Sequence, residues 1–381
     1  MRPRKIFTLS LYRVRLKRAL RHLRIYGLTH SGNSHLPISF QFADGYNNPH
    51  PTSAPLLKTE STDSRVATGE VVPGESDRIF RDSMRCHAEF GVWPISFSYP
   101  KVSLEHSSAP RARLLAQIVP GELYSYKNEC EYLDEYRSSY FGITHKKGGW
   151  DCFRHLEVLY SGAIPLMHDS RIIPKFSMVH YPKTAMARTF DEFITNPRKP
   201  SEATRVSYLD HFNQHLTSEA MARYVLRSAG LTSGRRILFI DENLAEGVDY
   251  LSLLTLIGLY QLPGFAVTSM IPAPYLWSDW KGDATSLYGR GFGYSRLLNP
   301  NSRRNQSPVS VRMVRRALQG QKYDAVIFGS IMRNLRLHAY LQPYLDPSRT
   351  VLINGEDLPV DRETLDELTS TGCHVFVRAI G

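Results

Sequence analysis

The stretch FGITHKKGGWDCFRHLEVLYSGAIPLMHD, residues 141–169, places a cluster of charge between apolar segments. Its pattern predicts a strand over 139–144, a helix over 151–161 that Asp151 caps and Gly162 ends, and a second strand over 163–168. HKKGGW is then the loop at the carboxyl end of the first strand. A strand, a helix and a second apolar strand in this order are typical of a parallel α/β sheet.

The loop and the helix start have the composition of an anion-binding site. A helix N-terminus carries partial positive charge on its free N–H groups, and Lys146, Lys147 and two glycines precede this one. Within the helix, Arg154 and Glu157 are three residues apart and share a face. Arg154 is therefore suited to phosphate oxygens and Glu157 to ribose hydroxyls, although a surface Arg–Glu ion pair explains the same spacing. The stretch contains neither GxxxxGK[ST] nor GxGxxG.

Most of the net charge of +11 comes from one end of the chain. Residues 1–43 contain nine Lys or Arg and no acid, whereas the rest has 38 basic and 36 acidic residues. Leu9, Tyr12, Leu16, Leu20 and Leu23 recur near helical spacing, which predicts a basic amphipathic helix. Such a helix would bind an anionic membrane surface through residues 1–26, pack on the body of the protein, or belong to a transit peptide.

Other features narrow the class of protein. No apolar run approaches the ~20 residues that span a bilayer, and no secretory signal is recognisable. Four cysteines without CxxC spacing favour a reducing compartment and neither a zinc framework nor a disulfide scaffold. A nucleic-acid-binding function would rest on residues 1–26 alone, since the remaining chain shows no RNP, zinc-finger or helix-turn-helix pattern.

The second half alternates apolar strands with helices, which predicts a doubly wound parallel sheet of about five strands. Ligands of such sheets lie at the carboxyl ends of the strands. Polar residues follow three of these strands at Asp241-Glu242, Gly329-Ser330 and Gly355-Glu356-Asp357. The expected organisation is a basic amphipathic segment, an irregular linker, a first α/β domain and a second α/β domain, over residues 1–30, 31–77, 78–232 and 233–381.

Residues 141–166 resemble the donor-binding motif of exostosin-like glycosyltransferases and related bacterial and viral sugar transferases. The pattern of that motif is roughly (K)KxGWDCxRHYEIxxxGxIP, and this chain departs mainly at Leu156, where Tyr is usual. The resemblance implies a GT-B fold of two Rossmann-like domains and a nucleotide-sugar site in which Arg154 contacts the diphosphate and Glu157 the ribose. The donor-binding residues that it implies are Lys146, Lys147, Gly148, Gly149, Asp151, Arg154, His155 and Glu157.

A second resemblance covers the other half. LFIDENLAEGVDYLSLL, LYGRGFGYSRLL, YDAVIFGSIMR and VLINGED are similar to segments of the N-terminal domain of the same bacterial transferases, and RIFRD at 78–82 is similar to its tail. That domain ordinarily precedes the GWDC motif, whereas here it follows. The two halves therefore resemble a circular permutation or a joining of two partial modules.

The resemblance implies transfer of a sugar from a nucleoside-diphosphate sugar, as co-substrate, to a glycan, lipid or protein acceptor. A loop containing Tyr288, Gly289 and Arg290 would bind the acceptor or an anionic group; a glycine-rich turn without a ligand explains the same residues equally well. No DxD motif and no metal-ligand spacing are present, so we expect a metal-independent enzyme without a cofactor. Transfer also needs a base that deprotonates the acceptor. The candidates are Asp241, Glu242, Glu356 and Asp357, although a carboxylate at such a position is more often a cap or a solvated side chain.

The permuted order and the unidentified base motivate an alternative, a non-catalytic interaction or scaffold protein that kept the fold. The expected location is cytoplasmic, with peripheral attachment to a membrane.

Overall fold

A computed structural model describes residues 74–100, 111–118, 120, 126, 128–232, 236–244, 249–303 and 307–380. The basic segment 1–30 and nearly all of the linker 31–77 lie outside the described residues. Residues from Gly69 onward belong to one compact unit. The boundary at 232/233 between two α/β domains stays a prediction.

The larger sheet has six strands, all parallel, in the order β1-β9-β8-β7-β5-β6. Its strands are β1 Trp93–Pro94, β5 Arg236–Ile240, β6 Ala266–Ser269, β7 Ala325–Phe328, β8 Thr350–Asn354 and β9 His374–Val377. The central strands are almost wholly buried because helices cover both faces of a parallel sheet. The five predicted strands of the second half are confirmed. The sixth, β1, comes from the segment that precedes the GWDC loop and pairs with β9.

The smaller sheet has three parallel strands in the order β2-β3-β4. These are β2 Arg113–Leu115, β3 Ser139–Thr144 and β4 Ile164–Met167. The predicted strand-loop-helix-strand arrangement over 139–168 is confirmed, and Gly162 follows the helix as expected. The two sheets agree with Rossmann-like α/β folds in being parallel and connected by helices.

The helices connect the strands and cover the sheets. Those of the first half are α1 Glu75–Phe90, α2 Glu129–Arg137, α3 Phe153–Tyr160, α4 Lys183–Thr195, α5 Glu202–His211 and α6 Ser218–Ser228, with a π-helical turn at Phe212–Leu216. Those of the second half are α7 Tyr250–Gln261, α8 Val311–Gln319, α9 Leu335–Leu341 and α10 Arg362–Thr369. None of the helices in the described ranges is long and apolar enough to cross a bilayer.

Helix α7 begins and packs as its sequence indicates. The Asp249 carboxylate accepts hydrogen bonds from the backbone N–H groups of Leu251 and Ser252 at 3.0 and 3.2 Å, so Asp249 is its N-cap. Leucines lie all around this helix, and it is correspondingly buried from 251 to 259. It packs against α6, and a Cβ on Gly258 would lie 2.0 Å from the Ser218 carbonyl oxygen. This contact joins the two halves of the chain.

The prediction that Asp151 caps helix α3 is wrong. The helix begins at Phe153, and its N-cap residue is Cys152, which makes no side-chain capping bond. The buried Asp151 carboxylate instead accepts hydrogen bonds from the Phe97 N–H at 2.5 Å and the Tyr181 hydroxyl at 2.7 Å. One carboxylate therefore connects three segments that are distant in sequence. The carboxylate accepts these bonds instead of capping the helix because the Phe97 N–H and the Tyr181 hydroxyl would otherwise be buried without an acceptor.

Candidate anion-binding site at the HKKGGWDC loop

The loop 145–152 leaves β3 at its carboxyl end and is fixed there by a buried histidine. The Nδ1 atom of His155 lies 2.8 Å from the Thr144 hydroxyl, and Nε2 donates to the Trp150 carbonyl oxygen at 3.1 Å. Burial lowers the pKa of His155 to about 4 and outweighs the opposing bond to Trp150. A neutral imidazole donates from Nε2 and accepts at Nδ1. Both ring nitrogens of His155 are therefore bonded within the protein, and these bonds hold the loop against β3.

The two glycines of the loop permit close contact with the loop that follows β8. A Cβ on Gly149 would lie 2.8 Å from the Asp357 carbonyl oxygen and 3.3 Å from an Arg378 guanidinium nitrogen. A Cβ on Gly148 would lie 2.9 Å from a carboxylate oxygen of Asp357. The absence of a side chain at these two glycines therefore lets the two loops of this chain pack closely, besides any room that it leaves for a ligand.

Arg378, which the sequence analysis missed, binds the two loops together. Its side chain is only 2% exposed. The guanidinium donates to the Gly355 carbonyl oxygen at 3.0 Å, to the Asp151 carbonyl oxygen at 2.9 Å and to the Asp357 carboxylate. It also lies 4.3 Å from the centre of the Phe97 ring, within the range of a cation–π contact. A lone arginine after the apolar strand HVFV was the available signal, because a buried arginine requires several acceptors.

Arg154 and Glu157 are both buried on the first turns of α3. A Glu157 carboxylate oxygen accepts a hydrogen bond from the Tyr132 hydroxyl at 2.6 Å. Burial raises the pKa of Glu157 to about 7, against the opposing effects of the Tyr132 bond and the nearby Arg154 charge. The pair is therefore not the solvent-exposed ion pair that offered the alternative explanation of its spacing. Glu157 can gain or lose a proton near neutral pH.

The two loop lysines extend into solvent beside this buried group. Lys146 and Lys147 are exposed. The Lys146 ammonium lies 4.7 Å from the centre of the Trp150 ring, and its backbone N–H donates to Asp169 at 3.3 Å. Two exposed cations in front of a helix N-terminus that has no acid in its first turn favour an anionic ligand.

The loop after residue 287 reaches the same helix from the second half of the chain. The Gly293 N–H donates to the Glu129 carboxylate at 2.7 Å, and a Cβ on Gly293 would lie 2.6 Å from the Phe153 ring. Arg290 has φ of 61° and donates to the Tyr126 carbonyl oxygen at 2.7 Å. Tyr288 is exposed. The predicted Tyr288-Gly289-Arg290 loop thus adjoins the start of α3.

The four candidate bases differ in environment. The buried Asp241 carboxylate accepts from the Ser252 hydroxyl at 2.6 Å, the Asn334 side-chain amide at 3.2 Å and the Asn243 N–H at 3.0 Å. Its partners organise the turn after β5, and none of these contacts reaches the GWDC loop. Glu242 is exposed and Glu356 half-buried. Asp357, beside Gly148, is the candidate that meets the loop directly.

Among the described residues, no group of three or more His, Cys, Asp or Glu side chains is arranged to hold a metal ion. No family model, no curated protein and no solved structure matches this chain.

Proposed function

We propose that this protein is a GT-B-type glycosyltransferase that uses a nucleoside-diphosphate sugar. One observation carries the proposal beyond the motif resemblance: the HKKGGW loop meets the acid-bearing carboxyl end of the second sheet at Gly149, Asp357 and Arg378. A donor cradle and a base must adjoin in glycosyl transfer, so this contact supports a shared site.

The chemistry assigns different roles to the two sides of this site. On the first side, Lys147, the N–H groups that begin α3 and Arg154 would bind the diphosphate, and Glu157 would bind the ribose. On the second side, Glu356 or Asp357 would accept the proton of the attacking hydroxyl. Asp241 is better suited to positioning because its oxygens already accept three hydrogen bonds.

Donor binding tests the first assignment. Purified full-length protein is titrated with UDP-, GDP- and TDP-sugars, and the melting temperature and the dissociation constant are measured. We expect one nucleotide class to stabilise the protein, and Lys147→Gln and Arg154→Lys to weaken its binding at least about tenfold. Lys175→Gln, an exposed lysine outside the site, is the matched control. The absence of binding by every donor would end the proposal.

Turnover separates the enzyme from a non-catalytic scaffold, the second candidate. That candidate is favoured by the engagement of both Asp241 and Asp357 with protein groups. Donor hydrolysis and transfer to glycan and lipid acceptors are assayed for Glu356→Gln and Asp357→Asn. Loss of turnover with unchanged donor affinity in one variant identifies the base. Donor binding without transfer or hydrolysis in the unmodified protein favours the scaffold.

We further propose a cytoplasmic location with peripheral attachment to a membrane through residues 1–26, and a glycan or lipid acceptor. The four free cysteines fit a reducing compartment, and the arginines of 1–26 suit anionic lipid headgroups.

A further inference from the structure

Helices α8 and α9 lie in a part of the chain with a strong excess of positive charge. Between residues 303 and 345 the sequence has eight Lys or Arg and a single acid, Asp324. That acid forms an ion pair with Arg236 at 2.8 Å. Four of the eight basic residues, Arg312, Arg315, Arg316 and Arg336, lie in the two helices.

Helix α8 presents these arginines on one side. Arg312, Met313 and Arg316 are exposed, whereas Val314 is fully buried. At about 100° per residue, Arg312, Arg316 and Met313 project within an arc of about 100°, and Val314 projects nearly opposite the two arginines. No acidic residue occurs in the helix.

Helix α9 continues this surface. The Arg315 guanidinium donates to the Tyr340 hydroxyl at 3.0 Å and lies 5.9 Å from the centre of the Tyr344 ring, so the two helices touch. Arg336, one turn before Tyr340, is exposed on the same side of α9. The basic face is defined as the set Arg312, Met313, Arg315, Arg316, Arg336 and Tyr340.

Two large side chains stand out among the arginines of the basic face. Met313 is 59% exposed and Tyr340 is 46% exposed. A methionine flanked by arginines suits the surface of an anionic bilayer, where charged headgroups lie above apolar acyl chains. Tyrosine suits the headgroup level of a bilayer. Each arginine near such a surface adds electrostatic attraction to the anionic headgroups.

We propose that the basic face docks this protein on an anionic lipid bilayer, with Arg312, Arg316 and Arg336 at the headgroup phosphates and Met313 between the headgroups. This surface is separate in sequence from residues 1–26. It requires neither donor binding nor turnover, so its test is independent of the proposed sugar transfer.

Helix α1 supplies a matched comparison within the same protein. It exposes two apolar side chains, Phe80 at 67% and Met84 at 44%, next to the exposed Arg81 and Arg85. The same helix carries four acids, at positions 75, 77, 82 and 89. Both surfaces thus expose two large apolar side chains, and they differ in net charge.

Vesicle flotation with the full-length chain tests the proposal. Vesicles of phosphatidylcholine alone are compared with vesicles that contain about one third phosphatidylglycerol, at low and high salt. We expect the triple variant R312Q/R316Q/R336Q to lower the partition coefficient on anionic vesicles at least about tenfold. The control R81Q/R85Q/R362Q loses the same charge at exposed sites and should change partition less than about twofold. Unchanged partition of the basic-face variant, with residues 1–26 intact, would overturn the proposal.

A fluorescence probe reports whether Met313 enters the bilayer. Met313→Trp is expected to give a blue-shifted difference spectrum with anionic vesicles and quenching by brominated acyl chains, whereas Met84→Trp is not. Equal responses of the two probes would contradict the proposal. A basic-face variant that loses binding to a labelled RNA or DNA oligonucleotide, and keeps vesicle binding, would assign the face to nucleic acid instead.

Discussion

Arg378 holds together two loops that the sequence separates by more than two hundred residues. Removing its charge while keeping a polar side chain, in Arg378→Gln, leaves the carbonyl oxygens of Gly355 and Asp151 without their donors. We expect the free energy of unfolding to fall by about 2–4 kcal/mol, because buried acceptors lose charged hydrogen bonds. Urea denaturation measures this loss.

Two controls isolate the cause. Arg362→Gln removes an exposed arginine and should change stability by less than about 0.5 kcal/mol. Arg378→Lys keeps the charge but not the planar geometry and is expected to recover only part of the loss. Equal stability of the Gln variant and the unmodified chain would show that the guanidinium contacts contribute little.

Glu157 makes the stability of the protein depend on pH near neutrality. Its pKa in the folded state is about 7, above the ordinary value of 4.5, because burial disfavours the charged form. The folded state then binds more protons than the unfolded state between these values, and stability decreases as pH rises. We expect Glu157→Gln to be similar in stability to the unmodified chain at pH 5 and more stable by roughly 1–3 kcal/mol at pH 8.

Denaturation midpoints of both proteins from pH 4.5 to 8.5 provide the measurement. The difference between them removes the contribution of groups that titrate in both, including the buried histidines. A difference that stays constant over this range would mean that Glu157 does not take up a proton on folding.

At the scale of elements, the GWDC loop depends on its two glycines unequally. In Gly149→Ala the new Cβ would lie 2.8 Å from the Asp357 backbone oxygen. Relief of this overlap requires a shift of the backbone itself. In Gly148→Ala it would meet the Asp357 side chain, which is exposed and can rotate. We expect G149A to destabilise by about 1–3 kcal/mol and G148A by less than about 1 kcal/mol. Thermal melts of the pair test this order, and the reverse order would contradict the loop geometry.

The positions of most strands and helices follow from the local sequence pattern. The strand at 139–144, the helix α7 with its Asp249 cap and the alternating strands of the second half could all be predicted, because apolar period and capping residues act locally. The sequence predicted a cap at Asp151 because a carboxylate before a helix is ordinarily a cap. Here Phe97 and Tyr181 supply donors from distant segments.

At the scale of the whole molecule, the two halves are linked through the sheet, the helices and the loops. Strand β1 pairs with β9, α6 packs on α7 at Gly258, and Arg378 joins the loops. We expect residues 69–381 to unfold in one transition, with far-ultraviolet circular dichroism and tryptophan fluorescence giving the same urea midpoint. Two separate midpoints would mean that these contacts do not couple the halves.

The Gly258→Val variant examines that coupling. A Cβ at this position would overlap the Ser218 carbonyl oxygen, so the variant must move α6 from α7. We expect it to lower the midpoint and to separate the two probes, whereas Gly264→Asn, at a glycine with open space and a φ of 83°, should retain one transition.

The sequence by itself determined the parallel α/β character, most element positions and the composition of the loop between β3 and α3. Each of these depends on residues close together in the chain. Tertiary structure alone decided that Asp151 ties segments together, that β1 extends the second sheet, and that Arg378 and Asp357 meet the loop. Such contacts form between residues that are far apart in the sequence. A buried charge or an unpaired strand edge needs hydrogen-bond partners in the folded interior, and only the tertiary structure decides which distant groups supply them.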